Sequence, residues 1–390
     1  MSGLVRRLAT RILAAASRLL PPRLSSWSRA MAHELMAIGD DRSALLFAAG
    51  CLRAAFFLAL AERLDAARAI LFPPSTFGRS FPIMNGILAQ PRLLGLICGA
   101  AAVGIGMAYM GAAGAPSRYL LVNFAALVLG ATAWLALGRT ARSSLAGTGP
   151  AILALSVPLL LTAWFGVAVE GASRWVGAGP LVLQVSLILV PVMIVLYARR
   201  PDPAGTAGMA AAALALALQP DRAMAGVLAV ALLALAFETR GRLALLAAAA
   251  SIPAFGWTLL TPDRLGASAF VDRVLYAAFD VHPLAGAAVV AGAAALVVPP
   301  LVSLAKGLGD RAVLLAFCGC WSAVAAAAAL GDYPTPLVGY GGSAVLGYLL
   351  SVALLPGGAR ATDAPDLASP AAAAADPDPA LTELRAASPA

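Results

Sequence analysis

Long runs of apolar residues, separated by short stretches rich in proline, glycine and arginine, dominate the chain from about residue 90 onward. Ten of these runs have roughly the length that an α-helix needs to cross a bilayer. They predict an all-α protein, a polytopic membrane helix bundle of about ten transmembrane helices. The fifth and sixth runs are short and meet at Pro220, which indicates a tilted or re-entrant pair. The predicted spans lie near 93–112, 119–138, 149–168, 181–198, 204–219, 222–237, 242–260, 284–305, 311–330 and 341–356.

The two ends of the chain have a different pattern. Arginines alternate with leucine and alanine up to residue 42, which predicts either a basic amphipathic helix on an anionic membrane surface or a solvated, positively charged flank. Residues 43–63 are apolar, but Arg53 would cost about 2.5–3.5 kcal/mol at the bilayer centre, so we expect an interfacial or packed helix. The Ala/Pro/Asp-rich tail is predicted to be disordered. The predicted organisation is an N-terminal region 1–64, a membrane domain 65–357 and a cytoplasmic tail 358–390.

Composition supports the membrane class. The chain is 61% hydrophobic and 12% charged, whereas a soluble domain carries about 25% charged residues. We therefore expect the formal charge of +8 to set the orientation of the chain in the membrane and to make contacts with lipids. No basic stripe lies on a soluble module, so we expect no nucleic-acid partner. All four cysteines fall inside apolar runs, which predicts neither a disulfide framework nor a zinc site.

Loop charges predict the orientation. With the N-terminus in the cytoplasm, the inner loops carry more cations than the outer loops, as the positive-inside rule requires. An even number of spans then returns the C-terminus to the cytoplasm, and we expect a multi-pass protein of the bacterial inner membrane. The inner cations are Arg139, Arg142, Arg199, Arg200, Arg240, Arg242, Lys306, Arg311 and Arg360, and the outer ones are Arg118, Arg174, Arg222, Arg264 and Arg273.

Four polar stretches fall on the outer side in this topology: 166–186, 218–222, 261–283 and 334–343. Polar groups are costly beside lipid and concentrate at functional sites. Each stretch also has a plainer interpretation, such as an interfacial loop with an aromatic anchor for the first and a helix cap at Asp221 for the second. The third is either a solvated loop or a catalytic or substrate-binding patch that contains Asp263, Asp272 and Asp280.

The fourth stretch, PTPLVGYGGS, has more turn-forming residues than a connector needs. Two prolines fix the backbone, and three glycines permit close approach and positive φ. Tyr340 and Ser343 supply hydroxyl groups, so we predict a backbone-lined pocket at the head of the last span.

Taken in order, these stretches resemble the motifs of the SEDS family of cell-wall proteins (FtsW/RodA/SpoVE). The resemblance covers about residues 90–357, and the motifs occupy the family's positions after the third span, after the fifth span and before the tenth. The matching residues are Gly166, Val169, Gly171, Ala172, Arg174, Trp175, Gly179, Pro180, Gln184 and Ser186, then Gln219, Pro220, Asp221 and Ala225, then Pro336, Tyr340, Gly341, Gly342 and Ser343.

The resemblance implies a peptidoglycan glycosyltransferase that polymerises lipid II, a polyprenyl-linked disaccharide, beside a class B penicillin-binding transpeptidase or another division protein. It implies a catalytic aspartate in the loop before the eighth span, where the match by place is Asp280. It further implies substrate contacts at Arg174, Trp175, Gln184, Asp221, Tyr340, Gly341, Gly342 and Ser343. The leaving pyrophosphate would need arginines or a divalent cation.

Departures from the family pattern leave other functions open. The loop between the seventh and eighth spans has only about twenty residues, and Leu187, Val190 and Ala223 stand where relatives have polar residues or glycine. A second hypothesis is therefore a non-catalytic SEDS-fold scaffold that binds a division partner or a polyprenyl lipid. A third is an unrelated transporter.

Overall fold

The structure is a computed structural model that describes residues 2–20, 24–71, 86–140, 148–179, 181–263 and 265–356. Internal contacts divide the chain into two compact units after Pro82. Helix α3 continues to Leu71, beyond the predicted boundary between residues 64 and 65. The tail predicted for residues 358–390 lies outside the described residues.

The first unit contains α1 (Ser2–Leu19), α2 (Ser25–Ala37) and α3 (Asp41–Leu71). The apolar face of α1 packs inside the unit, where Ala9 and Leu13 share a small core with Leu35 of α2 and Ala44 and Ala48 of α3. The predicted segment 43–63 is part of α3, which is not among the described helices long and apolar enough to cross a membrane. Arg53 is exposed on this helix.

The second unit is a bundle of apolar helices. Among the described residues, six helices are long and apolar enough to span a bilayer, and a bent pair adds a seventh. The helices are α4 (Pro91–Ala112), α5 (Ser117–Thr140), α6 (Thr148–Phe165), α7 (Val185–Arg199), α8 (Pro203–Leu218), α9 (Arg222–Thr239), α10 (Arg242–Leu260), α11 (Val274–Val281), α12 (Pro283–Ala295), α13 (Val298–Lys306), α14 (Arg311–Leu330) and α15 (Gly342–Ala353). Each of the ten predicted spans corresponds to one helix, except the eighth, which corresponds to the bent pair.

The predicted eighth span is the bent pair, in which α12 and α13 meet at 51°. Pro299 and Pro300 lie in the first turn of α13. Because proline lacks the N–H that would bond back to the preceding turn, these residues end α12 and start a new helix.

The predicted fourth span begins too early, because residues 181–184 form a strand. β1 (Val167–Val169), β2 (Ala172–Ala178) and β3 (Leu181–Gln184) make a three-stranded antiparallel sheet. Glu170 and Gly171 connect the first two strands with φ of 51° and 88°. Positive φ at both turn residues is typical of a type I′ hairpin, so the stretch is a small sheet rather than an irregular interfacial loop.

Small residues let the helices approach closely. A Cβ on Gly208 of α8 would lie 2.8 Å from the backbone nitrogen of Leu153 in α6, and one on Gly347 of α15 would overlap the carbonyl oxygen of Leu187 in α7. Close backbone approach through small residues is a common way for membrane helices to pack. These contacts position the ends of α7, α8 and α15, which carry the polar residues described next.

Candidate functional site

The four polar stretches converge at one end of the bundle, called the polar end. There α6, α8, α10 and α14 finish and α7, α9 and α15 begin. At its centre Asp221, the N-cap of α9, is fully buried. Ser186 Oγ donates to Asp221 Oδ2 at 2.7 Å, and Gln184 Nε2 donates to the same oxygen at 3.1 Å. The backbone N–H of Gln184 donates to Ser343 Oγ at 2.9 Å. Three stretches distant in sequence therefore form one hydrogen-bonded cluster.

Arg174 ties the sheet to this cluster and to the loop after α10. Its side chain is only 5% exposed, and it donates to the carbonyl oxygen of Pro220. The same nitrogen lies 3.3 Å from Asp263 Oδ2, which also accepts from Tyr333 Oη at 3.0 Å. Burial, together with a smaller effect of the hydrogen bond to Asp263, raises the pKa of Tyr333 to about 12. The phenol therefore stays protonated and acts as a donor at neutral pH.

Trp175 follows Arg174 on β2 and lies opposite Gln184 in the register of the sheet. Because side chains alternate along a strand, Arg174 and Trp175 point to opposite faces of the sheet. Arg174 is buried towards the cluster, while Trp175 is half-exposed. This exposure fits the aromatic-anchor interpretation as well as the substrate-contact one.

The PTPLVGYGGS loop is held from both sides. Asn123 of α5 donates to the carbonyl oxygen of Gly339 at 2.8 Å and accepts from the N–H of Gly341 at 3.0 Å. The Tyr340 ring stacks on Tyr119, with centroids 3.8 Å apart. Gly341 has φ of 151°, in the region that favours glycine. A Cβ on Gly342 would lie 3.1 Å from the Ala126 side chain, which explains a small residue there.

The loop after α10 is joined to the same segment by backbone hydrogen bonds. Thr335 N donates to the carbonyl of Val271 at 2.9 Å, and Tyr340 N donates to the carbonyl of Phe270 at 2.6 Å. Asp272 pairs with Pro334 in an isolated β-bridge. Burial raises the pKa of Asp272 above 3.8, although a backbone N–H from Ser268 opposes the shift.

Asp280, the predicted catalytic residue, lies on the short helix α11 at the polar end. Its side chain is exposed, and it forms no hydrogen bond or ion pair with the described residues. The structure brings Arg174, Gln184, Asp221 and Ser343 together, whereas Asp280 is outside that cluster.

A cavity of about 670 Å³ opens beside the cluster, between α9, α10 and α14. Its walls are apolar, with Gly226, Phe255 and Ala326 among the lining residues. Four polar residues line the same cavity towards the polar end: Arg222, Asp263, Asp332 and Tyr333. Asp221, Arg174 and Asp280 do not line it. An apolar cavity with charged residues at one end, which we call its mouth, is suited to an amphiphile.

The charges at this mouth are partly satisfied within the protein. Arg273 pairs with Asp332. Arg222 donates to the carbonyls of Thr258 at 3.2 Å and Thr261 at 2.9 Å, but no described carboxylate pairs with it. Its charge is therefore available to an anion. In the described part of the chain, no three histidine, cysteine or acidic residues cluster as metal ligands.

Sequence reasoning missed several residues of the site. Asn123 carried a signal, because a lone amide in an apolar run is costly unless it is paired. Tyr119 and Tyr333 carried none, since aromatic residues are common at span ends. Arg222 and Asp263 were noted in the sequence, but their positions at a cavity depend on tertiary packing.

The fold and the polar end define a class: a multi-pass helical membrane protein with a compact polar cluster at one end of the bundle. No protein-family model matches the sequence, and no curated protein matches it.

A solved structure does match. The crystal structure of the rod shape determining protein RodA from Thermus thermophilus is 23% identical, and the match covers 67% of this chain and 94% of that one with a TM-score of 0.50. An aspartate-to-alanine mutant of the same RodA gives 23% identity and a TM-score of 0.49. The chain therefore has a RodA-like fold, in agreement with the fold that the SEDS resemblance implied.

Proposed function

We propose that this chain is a membrane protein of cell-wall assembly that binds a polyprenyl-linked disaccharide and polymerises it. The cavity between α9, α10 and α14 is the observation that carries the proposal. Its apolar walls suit a prenyl chain, while Arg222 at its mouth suits the pyrophosphate that joins the chain to the sugar. The RodA-like fold agrees with the SEDS resemblance, and that resemblance implies this class of substrate.

The chemistry needs a base and a stabilised leaving group. In the proposed step, a carboxylate takes the proton of the acceptor hydroxyl while the oxygen of that hydroxyl bonds to the anomeric carbon of the donor. The bond from that carbon to the pyrophosphate oxygen breaks, and the lipid pyrophosphate leaves with the electron pair beside Arg222.

Two carboxylates are candidates for the base. Asp280 is the residue that the resemblance implies, and its exposed carboxylate has no described partner. Asp263 lines the cavity, and its buried Oδ1 has no hydrogen-bond partner among the described residues. We propose Asp280 as the base, and Asp263 is the alternative.

Purified protein incubated with labelled lipid II tests the proposal. Polymer is expected from the wild type, and Asp280→Asn should abolish it while Asp263→Asn retains it. The opposite pattern would transfer the role to Asp263. Asp310→Asn is the matched control, because Asp310 caps the far end of α14 and asparagine also caps helices. Absence of polymer from a folded wild-type protein would contradict the catalytic proposal.

A second candidate is a scaffold of this fold that binds a polyprenyl lipid or a division protein without catalysis. It is favoured by the internal pairing at the mouth, where Asp263 and Asp332 already bind arginines. Saturable lipid II binding without polymer formation, lost in Arg222→Gln, would identify this function.

Partner and orientation remain proposals. We propose a class B transpeptidase or another division protein as partner, and residence in the bacterial inner membrane with both termini in the cytoplasm. Reporter fusions at Tyr340 and at the α10–α11 loop should both report the outer side. Fusions that place them on different sides would contradict the proposed topology.

A further inference from the structure

The first unit carries a basic surface that the proposed function does not use. Three arginines of α1, at positions 7, 11 and 18, are exposed. Their spacing of four and seven residues places them on one line along a helix with 3.6 residues per turn. Leu8 and Leu19, which are 49% and 37% exposed, flank this line on one side. We call Arg7, Arg11, Arg18, Leu8 and Leu19 the α1 ridge.

The ridge is not needed to hold the unit together. The apolar face of α1 is already buried against α2 and α3 through Ala9 and Leu13. A different arginine, Arg6, joins α1 to the end of α2 by donating to the carbonyl oxygens of Leu35 at 2.9 Å and Ile38 at 2.7 Å. The three ridge arginines form no ion pair or hydrogen bond with the described residues.

We propose that the α1 ridge docks on the surface of an anionic phospholipid membrane. A line of guanidinium groups complements a layer of lipid phosphates, and the flanking leucines are positioned to enter the headgroup region. The whole chain has apolar helices long enough to span a bilayer, so the first unit is covalently tethered near a lipid surface. Docking is therefore electrostatic and shallow, in contrast to a free amphipathic helix that buries its apolar face in lipid.

Charge and salt determine the expected size of the effect. Each basic residue near an anionic surface is worth about a fivefold change in binding, so three together are worth on the order of a hundredfold. Screening limits the attraction to about 8 Å at physiological ionic strength. Docking should therefore weaken steeply as salt increases.

The test uses the full chain in nanodiscs, with an environment-sensitive fluorophore on Ala15→Cys. Ala15 is exposed beside the ridge, and Ala49→Cys on α3 supplies an exposed control position. Protein without an introduced cysteine provides the background from native thiols. We expect the Ala15 label to report an apolar environment in discs containing phosphatidylglycerol, and to lose that signal in phosphatidylcholine discs or at high salt.

Two matched variants separate charge from folding. The triple substitution Arg7→Gln, Arg11→Gln and Arg18→Gln keeps good helix formers and should abolish the response to phosphatidylglycerol. The same triple substitution to lysine keeps the charge and should preserve it. An equal signal in both lipids, a response that survives the glutamine triple variant, or loss of the response in the lysine variant would overturn the proposal. A ridge that binds another protein instead would give no lipid dependence in this purified system.

Discussion

Replacing Arg174 by methionine should destabilise the protein by about 3 kcal/mol, because it leaves the Asp263 carboxylate buried without its cationic partner. The two side chains are 5% and 16% exposed, and the ion pair joins β2 to the loop after α10. Asp263→Asn should cost less, since asparagine can still accept from Tyr333. In the double variant neither charge remains, so the two effects should not add. We expect a coupling free energy of about 1–3 kcal/mol.

Unfolding by SDS in mixed micelles, followed by tryptophan fluorescence, would measure the four free energies of this cycle. Arg273 and Asp332 provide a control pair at the same end of the bundle, with side chains 64% and 28% exposed. An exposed pair of this kind contributes about 0–1 kcal/mol. If the coupling of Arg174 with Asp263 is no larger than that of the control pair, the buried ion pair does not hold the polar stretches together.

Three further predictions concern packing, pH and the buried carboxylate. Gly347→Ala should separate α15 from α7 and lower the thermal stability markedly. Its control is Gly104→Ala, which has nothing within 4 Å of the added Cβ and should be neutral or stabilising by about 0.5–1 kcal/mol. Equal melting temperatures for the two variants would contradict the close packing of α15 on α7. Burial raises the folded-state pKa of Asp272 above 3.8, so its contribution to stability is present below pH 3.8 and decreases as the pH rises through the folded pKa. Asp272→Asn should therefore gain stability relative to wild type between acid and neutral pH, and melting curves that shift in parallel would refute the assignment. Ser186→Ala removes a donor to the buried Asp221 carboxylate and should cost about 1.5–3 kcal/mol; an SDS midpoint unchanged from wild type would show that the hydroxyl is not bonded there.

The helical bundle and the order of its apolar helices could be predicted from the sequence because each long apolar run has a length set by the bilayer. Six of the described helices, or seven with the bent pair, are long and apolar enough to cross a bilayer, and α7, α8 and α15 are shorter than that. The start of the fourth span could not be predicted, since a short apolar run fits a strand as well as a helix. Leu181–Gln184 became a strand through its pairing with β2.

The candidate site was partly predictable for a related reason. The sequence singles out Arg174, Gln184, Asp221 and Ser343 because polar residues beside lipid need partners. Hydrogen bonds join Gln184 to Asp221 and Ser343, and Arg174 donates to the carbonyl oxygen of the neighbouring Pro220. The prediction for Asp280 rests on its place before the eighth span, and position along the chain carries no information on burial or neighbours. The cavity depends on how α9, α10 and α14 pack against one another, which no local pattern encodes.

Site-specific photocrosslinking of a lipid-linked sugar tests the central proposal most directly. A photoreactive residue at Ala326 lies in the cavity wall, and one at Leu233, an exposed position on α9 outside the lining, serves as the control. The proposal predicts that a labelled lipid II probe crosslinks at position 326, and that excess unlabelled lipid II displaces it while phosphatidylglycerol does not. Crosslinking at 326 that either lipid displaces equally, or that matches position 233, would contradict a cavity built for a polyprenyl-linked disaccharide.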